Sequence, residues 1–124
     1  MQTSGRVPGL IVAPLTPFTA DLKVDEAGLA RQIDYVINDC RATMVVAAGV
    51  ETQEYTYLSL AERKELIRRT IELTDKRVPV MVGISHASFK TAIELANMPS
   101  AGAPPPSSFW RRFGLSPVRR RRAT

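Results

Sequence analysis

The chain is poor in the residue types that build metal sites and disulfides. Its 124 residues include one cysteine, Cys40, and one histidine, His86. A single cysteine cannot form an internal disulfide, and we expect Cys40 to be a buried free thiol in a reducing compartment. The sequence contains no Cys-x-x-Cys pair or other metal-ligand cluster, and no glycine-rich run precedes a helix. We therefore expect neither a bound metal nor a cofactor.

Long apolar runs are also missing. Nowhere do about 18 apolar residues follow one another, as a membrane-spanning helix requires. The first residues include Arg6 but no apolar segment followed by a small-residue cleavage site, so they do not resemble a secretory signal. The sequence predicts a cytoplasmic protein without membrane contact.

Acidic residues are absent from the last segment of the chain. Residues 98–124 hold six arginines and five prolines, whereas residues 1–97 hold 11 basic and 12 acidic residues. The net charge of +5 therefore arises in this tail. We expect two regions, a folded domain over 1–97 and an irregular tail over 98–124 that is disordered or derived from a frameshift.

The tail also allows a different function. Its arginines stand beside Phe109, Trp110 and Phe113, and such a mixture can bind a nucleic-acid backbone while aromatic rings stack on bases. A non-enzymatic nucleic-acid-binding module is the alternative hypothesis. We favour the irregular tail and expect no nucleic-acid partner.

Three apolar segments without alternation predict strands buried on both faces. They are residues 9–13, 43–48 and 78–82, and they end at Pro14, Gly49 and Gly83. Between them, Asp25 can cap a helix with apolar residues at helical spacing up to Cys40. Ser59 and Glu62 form a capping-box pattern for a second helix, and a third should run from about Ser88 to Ala96. Alternating strands and helices predict an α/β fold with a parallel sheet.

The ends of the first two strands carry the first part of a family resemblance. The first strand is followed by Thr16-Pro17-Phe18 and then by a helix that opens with Val24-Asp25-Glu26. The second ends in Gly49-Val-Glu-Thr-Gln-Glu54, followed by Leu58, Ser59, Glu62 and Arg63. This order and spacing resemble the dihydrodipicolinate synthase and N-acetylneuraminate lyase family, which usually has Gly-Thr-Thr-Gly-Glu in the second loop.

The third strand extends the resemblance to residues 9–97. Val78-Pro-Val-Met-Val-Gly83 and then Ile84-Ser85-His86 resemble the family's third strand and its Gly-x-Gly turn, with Ser85 at the second glycine. The resemblance implies the N-terminal part of a (β/α)8 TIM barrel, about three β/α units, followed by the basic tail. A complete barrel needs about 250 residues.

The family resemblance also implies a chemistry. Members act as lyases or aldolases on pyruvate or a related 2-oxo acid, through a Schiff base on a lysine of a later strand, with a tyrosine that assists proton transfer. Both residues would lie beyond the matched segment, so we expect a truncated chain that is inactive alone. The four lysines, residues 23, 64, 76 and 90, are predicted in loops or on polar helix faces. Members are often tetrameric, which suggests a homo-oligomer.

The candidate site residues lie in the loops that follow the three strands. Thr52 matches a family threonine that binds the substrate carboxylate and relays a proton, so it is the catalytic candidate. Glu51 replaces the preceding threonine, and its carboxylate would repel that of pyruvate if both were ionised. Thr16, Glu51, Thr52, Glu54 and His86 are the substrate-binding candidates. Two alternatives remain open: Glu51 and Glu54 as ordinary loop carboxylates, and His86 as a merely exposed side chain.

Overall fold

Three parallel strands form the centre of the fold, and helices separate them along the chain. The computed structural model describes residues 9–49 and 54–98. Within these ranges the elements are β1 (Ile11–Val12), α1 (Glu26–Asp34) continued by a π-helical turn (Tyr35–Asp39), β2 (Met44–Ala47), α2 (Glu54–Tyr57), α3 (Leu60–Thr74), β3 (Val80–Val82) and α4 (Phe89–Ala96). The alternation predicted from the sequence is confirmed.

The sheet has the order β1-β2-β3, and both neighbouring pairs are parallel. Ile11 pairs with Met44, and Val45 pairs with Val80. Each strand is shorter than the apolar segment that predicted it. β3, for example, begins only after Pro79, because proline has no N–H to donate to the ladder.

The predicted helix starts are confirmed. The Asp25 side chain accepts a hydrogen bond from the backbone N–H of Gly28 over 3.0 Å and caps α1. At α3 the capping box is reciprocal: the N–H of Glu62 donates to Ser59 Oγ over 3.2 Å, and the N–H of Ser59 donates to Glu62 Oε2 over 2.8 Å. Ser88 stands at the N-cap of α4.

The first helix ends differently from the prediction. Its last residues form the π-helical turn, and the N–H of Cys40 donates to the carbonyl of Tyr35 over 3.1 Å. A π-helical turn holds more residues than an α-helical turn, so side chains beyond it no longer follow the apolar stripe. The predicted burial of Cys40 is wrong, since its side chain is only half-buried.

The main core lies between the helices and one face of the sheet. In its largest cluster, residues from α1, α3 and α4 pack against the end of β2: Leu29, Ile33, Ala47, Ala48, Leu66, Ile67 and Leu95. Ile33 and Ile67 are essentially inaccessible to solvent. Burial of a side chain of this size contributes about 1.5–3 kcal/mol to folding.

The opposite face of the sheet is not covered within the described residues. Ile11 of β1 remains 53% exposed and Met81 of β3 remains 46% exposed. The prediction that all three strands are buried on both faces is therefore wrong for this part of the chain. The helices cover one face only, whereas the inner face of a closed barrel is packed by side chains from the other strands of the barrel.

Candidate functional site

The loops after the three strands lie at the same edge of the sheet. The strands are parallel, so their carboxyl ends point in one direction. Thr16 lies in the loop after β1, Gly49 follows β2, and Ser85 and His86 follow β3. Strand carboxyl ends are where β/α barrels build their active sites. This edge is the candidate site.

Gly83 lets the ends of β2 and β3 approach each other closely. The N–H of Gly83 donates to the carbonyl of Ala47 over 2.8 Å and extends the ladder by one bond. A Cβ atom on Gly83 would lie 2.0 Å from the carbonyl oxygen of Ala48 and 2.9 Å from the Cα of Gly49. The backbones at this edge therefore touch without an intervening side chain.

Ala48 holds a strained conformation at the same place. Its φ angle is 51°, in the left-handed region that L-residues with a Cβ avoid at a cost of roughly 1–2 kcal/mol. The residue is also buried, at 5% exposure. Surrounding packing has to maintain such strain, and strained residues cluster at functional sites. Packing around Ala48 thus fixes the direction in which the backbone leaves β2.

An open depression lies on the uncovered face at this edge. It has a volume of about 330 Å³, and its floor consists of strand side chains and loop backbone: Ile11, Val46, Gly49, Met81, Val82, Gly83, Ile84 and Ser85. The lining combines an apolar floor with peptide groups and one hydroxyl. Binding sites for small molecules share this combination, since a few polar groups fix orientation above apolar surface.

The loop after β3 uses its histidine for local structure. His86 is exposed, and its Nδ1 accepts a hydrogen bond of 2.9 Å from the N–H of Ser88. A ring nitrogen that accepts a hydrogen bond carries no proton. In the tautomer that fits this geometry, the ring proton is therefore on Nε2. Ser88 is the N-cap residue of α4, and its own side chain makes no capping hydrogen bond. Nε2 is the atom of His86 that remains for contact with a ligand.

Arg63 holds the same loop from the side of α3. It is 2% exposed, and its Nη1 and Nη2 donate to the carbonyls of Ser85 and Gly83 over 2.5 and 2.8 Å. The sequence pattern did not predict that Arg63 binds the loop after β3. The signal was present, because Arg63 stands on the buried stripe of α3 together with Leu66, Ile67, Thr70 and Thr74. A charged residue in an apolar stripe marks a specific partner.

The loop after β1 forms a small hairpin. Phe18 and Val24 make an antiparallel bridge, and Thr19 Oγ1 donates to Asp21 Oδ1 over 2.6 Å. This hydroxyl is the main reason that the pKa of Asp21 lies below its ordinary value. The ring of Phe18 meets that of Tyr57 edge to face, with centroids 5.7 Å apart. This aromatic contact joins the loop after β1 to α2, the short helix in the connection after β2.

The predicted site residues have different outcomes. Thr16 is half-buried in the loop after β1, and His86 is exposed in the loop after β3. Glu54 is the first residue of α2, directly after the second loop, and its part in substrate binding stays a prediction. Glu51 and Thr52 lie outside the described residues, as do the tail arginines and aromatic residues.

In residues 9–49 and 54–98, no three His, Cys, Asp or Glu side chains lie close enough together to hold a metal ion. None of the helices in this part of the chain has the length and hydropathy needed to cross a membrane.

Known proteins share both the sequence and the fold. The sequence model of the Dihydrodipicolinate synthetase family matches residues 6–103. The 4-hydroxy-tetrahydrodipicolinate synthase of Stutzerimonas stutzeri is 35% identical over 98 residues, which are 78% of this chain and 33% of that enzyme. The chain thus spans about a third of the length of this curated relative.

Two solved structures resemble the chain at similar coverage. The chloride-inhibited dihydrodipicolinate synthase of Acinetobacter baumannii, complexed with pyruvate, has a TM-score of 0.64 at 33% identity, over 70% of this chain and 29% of that one. The N-acetylneuraminate lyase of Mycoplasma synoviae has a TM-score of 0.64 at 27% identity, over 71% and 30%. Proteins of this kind are TIM barrels, and three of their β/α units correspond to the elements described above.

Proposed function

Because the chain belongs to the Dihydrodipicolinate synthetase family, we propose that it supplies the carboxylate-binding part of a lyase or aldolase site for pyruvate or a related 2-oxo acid. One observation carries the proposal: the three strands are parallel, so their following loops lie at one edge of the sheet, where Gly49 after β2 and Gly83 and Ser85 after β3 line a depression with an apolar floor. The pyruvate complex of the Acinetobacter baumannii enzyme supports this ligand class.

The chemical step would use a lysine amine that attacks the 2-oxo carbon and forms a Schiff base. Such a lysine must be unprotonated, which requires burial or cationic neighbours. The lysines of this chain occupy other settings. Lys23 is 80% exposed beside Asp21, Lys64 pairs with Glu94, and Lys76 and Lys90 are exposed. Residues 9–98 therefore serve binding and orientation, and the proposal assigns the nucleophile to another part of the barrel.

The second loop sets the substrate preference in this proposal. Thr52 would donate its hydroxyl hydrogen to the substrate carboxylate, and the neighbouring Glu51 would oppose the same carboxylate. Two unit charges 4 Å apart repel by about 1 kcal/mol in water, which corresponds to roughly a fivefold loss of affinity. We therefore expect that the chain binds pyruvate weakly. Binding should improve once Glu51 is replaced by the threonine usual in the family.

Saturation-transfer NMR of pyruvate with the complete chain tests this proposal. We expect E51T to bind pyruvate about fivefold more tightly than the wild type and T52V to lose the signal. T43V is the matched control, since Thr43 lies at the amino end of β2, away from the site. Equal pyruvate signals for all four chains, or none for any of them, would contradict the proposal.

A further inference from the structure

Burial of an arginine side chain at position 63 of α3 is energetically unfavourable by itself. Its neighbours on the same helix face, Leu66 and Ile67, are buried in the apolar core. A guanidinium group placed there loses its hydration, which is unfavourable unless hydrogen bonds replace the lost water. An aliphatic residue would pack at less cost. The position is therefore better explained by what the guanidinium holds than by its contribution to the core.

The guanidinium holds two peptide carbonyls of one loop. Nη2 bonds the carbonyl of Gly83 and Nη1 bonds that of Ser85, so the planar fork spans alternate residues just beyond β3. Hydrogen bonds from a charged donor are about twice as strong as those between neutral groups. A planar fork with two fixed donors also restricts orientation in a way that a single ammonium group cannot.

The same helical turn ends the connection from β2. The backbone N–H of Arg63 donates to the carbonyl of Ser59 over 2.9 Å, and Ser59 is locked to Glu62 by the capping box. One turn of α3 thus contacts Ser59 with its backbone and the loop after β3 with its side chain. A displacement of the start of α3 must move the loop after β3, unless the guanidinium bonds break.

We propose that Arg63 is a positioning residue that couples the start of α3 to the loop after β3 and thereby sets the placement of Ser85 and His86. The inference rests on the proposed function for its biological meaning, because the loop after β3 borders the proposed 2-oxo acid site. Arg63 touches no substrate in this scheme. It acts through the peptide groups of Gly83 and Ser85, and its effect is measurable in the absence of any ligand.

Hydrogen exchange read by mass spectrometry on the complete chain provides the test. The N–H groups of Gly83 and Ser88 are both hydrogen-bonded, so their exchange reports opening of the loop. For R63M we expect these amides to exchange about tenfold faster, which corresponds to 1.4 kcal/mol of local opening, while amides within α3 change less. R68M is the matched control, because Arg68 is an exposed arginine of the same helix paired with Glu65 and Glu72.

Two further measurements separate coupling from a purely structural role. S59A should also accelerate exchange at Gly83 and Ser88, and this effect should disappear in the R63M background, since the link is already cut. Millimolar guanidinium should restore slow exchange in R63A, whereas equal sodium chloride should not. Uniform acceleration across the chain in R63M, or additive effects of S59A and R63M, would overturn the proposal.

R63K keeps the test decisive if the other variants fail to fold. Lysine retains the charge and the aliphatic stem but reaches only one carbonyl, so exchange should lie between wild type and fully open. An R63K chain whose Gly83 and Ser88 amides exchange like the wild type would overturn the proposal. Pyruvate is absent throughout, so a failure here is distinct from a failure to bind pyruvate.

Discussion

At the scale of single residues, the backbone contact between Ala48 and Gly83 defines the candidate site. Ala48 has a left-handed φ of 51°, and Gly83 packs directly on its carbonyl oxygen. The sequence could indicate Gly83 as the end of a strand, because glycine follows an apolar run. It could not indicate the strain at Ala48, since alanine gives no sign of a left-handed conformation and only the surrounding packing imposes it.

G83A should destabilise the chain strongly, although the substitution adds only one methyl group. The added Cβ would overlap backbone atoms of Ala48 and Gly49, just after β2, which cannot rotate away as a side chain can, so the two strand ends must separate. Overpacking of this kind costs about 1–3 kcal/mol. Urea unfolding monitored by circular dichroism measures the change.

G9A is the matched control for that substitution. A Cβ on Gly9 would also lie 2.0 Å from a neighbour, but all of its close contacts are with the exposed side chain of Thr43 rather than with backbone. Gly9 precedes β1, so a small backbone shift there can relieve the contact and should limit the loss to about 0.5 kcal/mol. Equal losses in the two variants would show that the contact at Gly83 has no special role.

At the scale of elements, local signals identified the helix starts and failed at the strand ends. Asp25, Ser59 and Glu62 are read correctly from the sequence, because a cap depends on residues within one turn. Strand length depends on partners that are distant in sequence, and the predicted segments were all too long. The π-helical turn after Asp34 was not predicted, and the sequence around it contains neither proline nor glycine.

The capping box should make stability depend on acid. The pKa of Glu62 lies below its ordinary value, chiefly because the backbone N–H of Ser59 donates to the ionised carboxylate and secondly because of the Ser59 hydroxyl. A carboxyl group with a lowered pKa in the folded state stabilises the fold above its unfolded pKa, about 4.3 for glutamate. That contribution is lost as pH falls from there through the folded pKa.

E62Q should therefore show a shallower fall in melting temperature below about pH 4.3 than the wild type. The glutamine amide oxygen can still accept from Ser59, but it does not titrate in this range. Melting curves at 222 nm between neutral and acidic pH provide the measurement. E72Q controls for the loss of one negative charge from α3, and an unchanged acid limb in E62Q would contradict the assignment to the capping box.

At the scale of the whole molecule, the described residues form a packed core on one face of the sheet and leave the other face uncovered. The helices cover one face of the sheet, while Ile11 and Met81 stay exposed on the other. Both β1 and β3 are edge strands in the described sheet, so unpaired peptide groups lie beside this apolar surface. The α/β class followed from the sequence, but a choice of barrel over open sheet required the family resemblance, because local periodicity is the same in both.

We predict that the isolated chain self-associates through this uncovered face. Size-exclusion chromatography with light scattering should give a mass above the 13.7 kDa of one chain. M81K should shift the mass toward the monomer, because a charge on the face disfavours both apolar contact and edge pairing. L22K is the control, since Leu22 is 81% exposed but lies in the first hairpin. A monomeric wild type with a cooperative melting transition would refute the prediction.

The sheet register has a consequence for the order of folding during synthesis. Paired residues in the two strand pairs, such as Ile11 with Met44 and Val45 with Val80, are separated by 33 and 35 positions along the chain. Each strand pairs with its immediate predecessor in chain order, and no pairing in the described sheet skips a strand. The sheet can therefore grow one strand at a time as the polypeptide leaves the ribosome, each new strand docking on a template made before it.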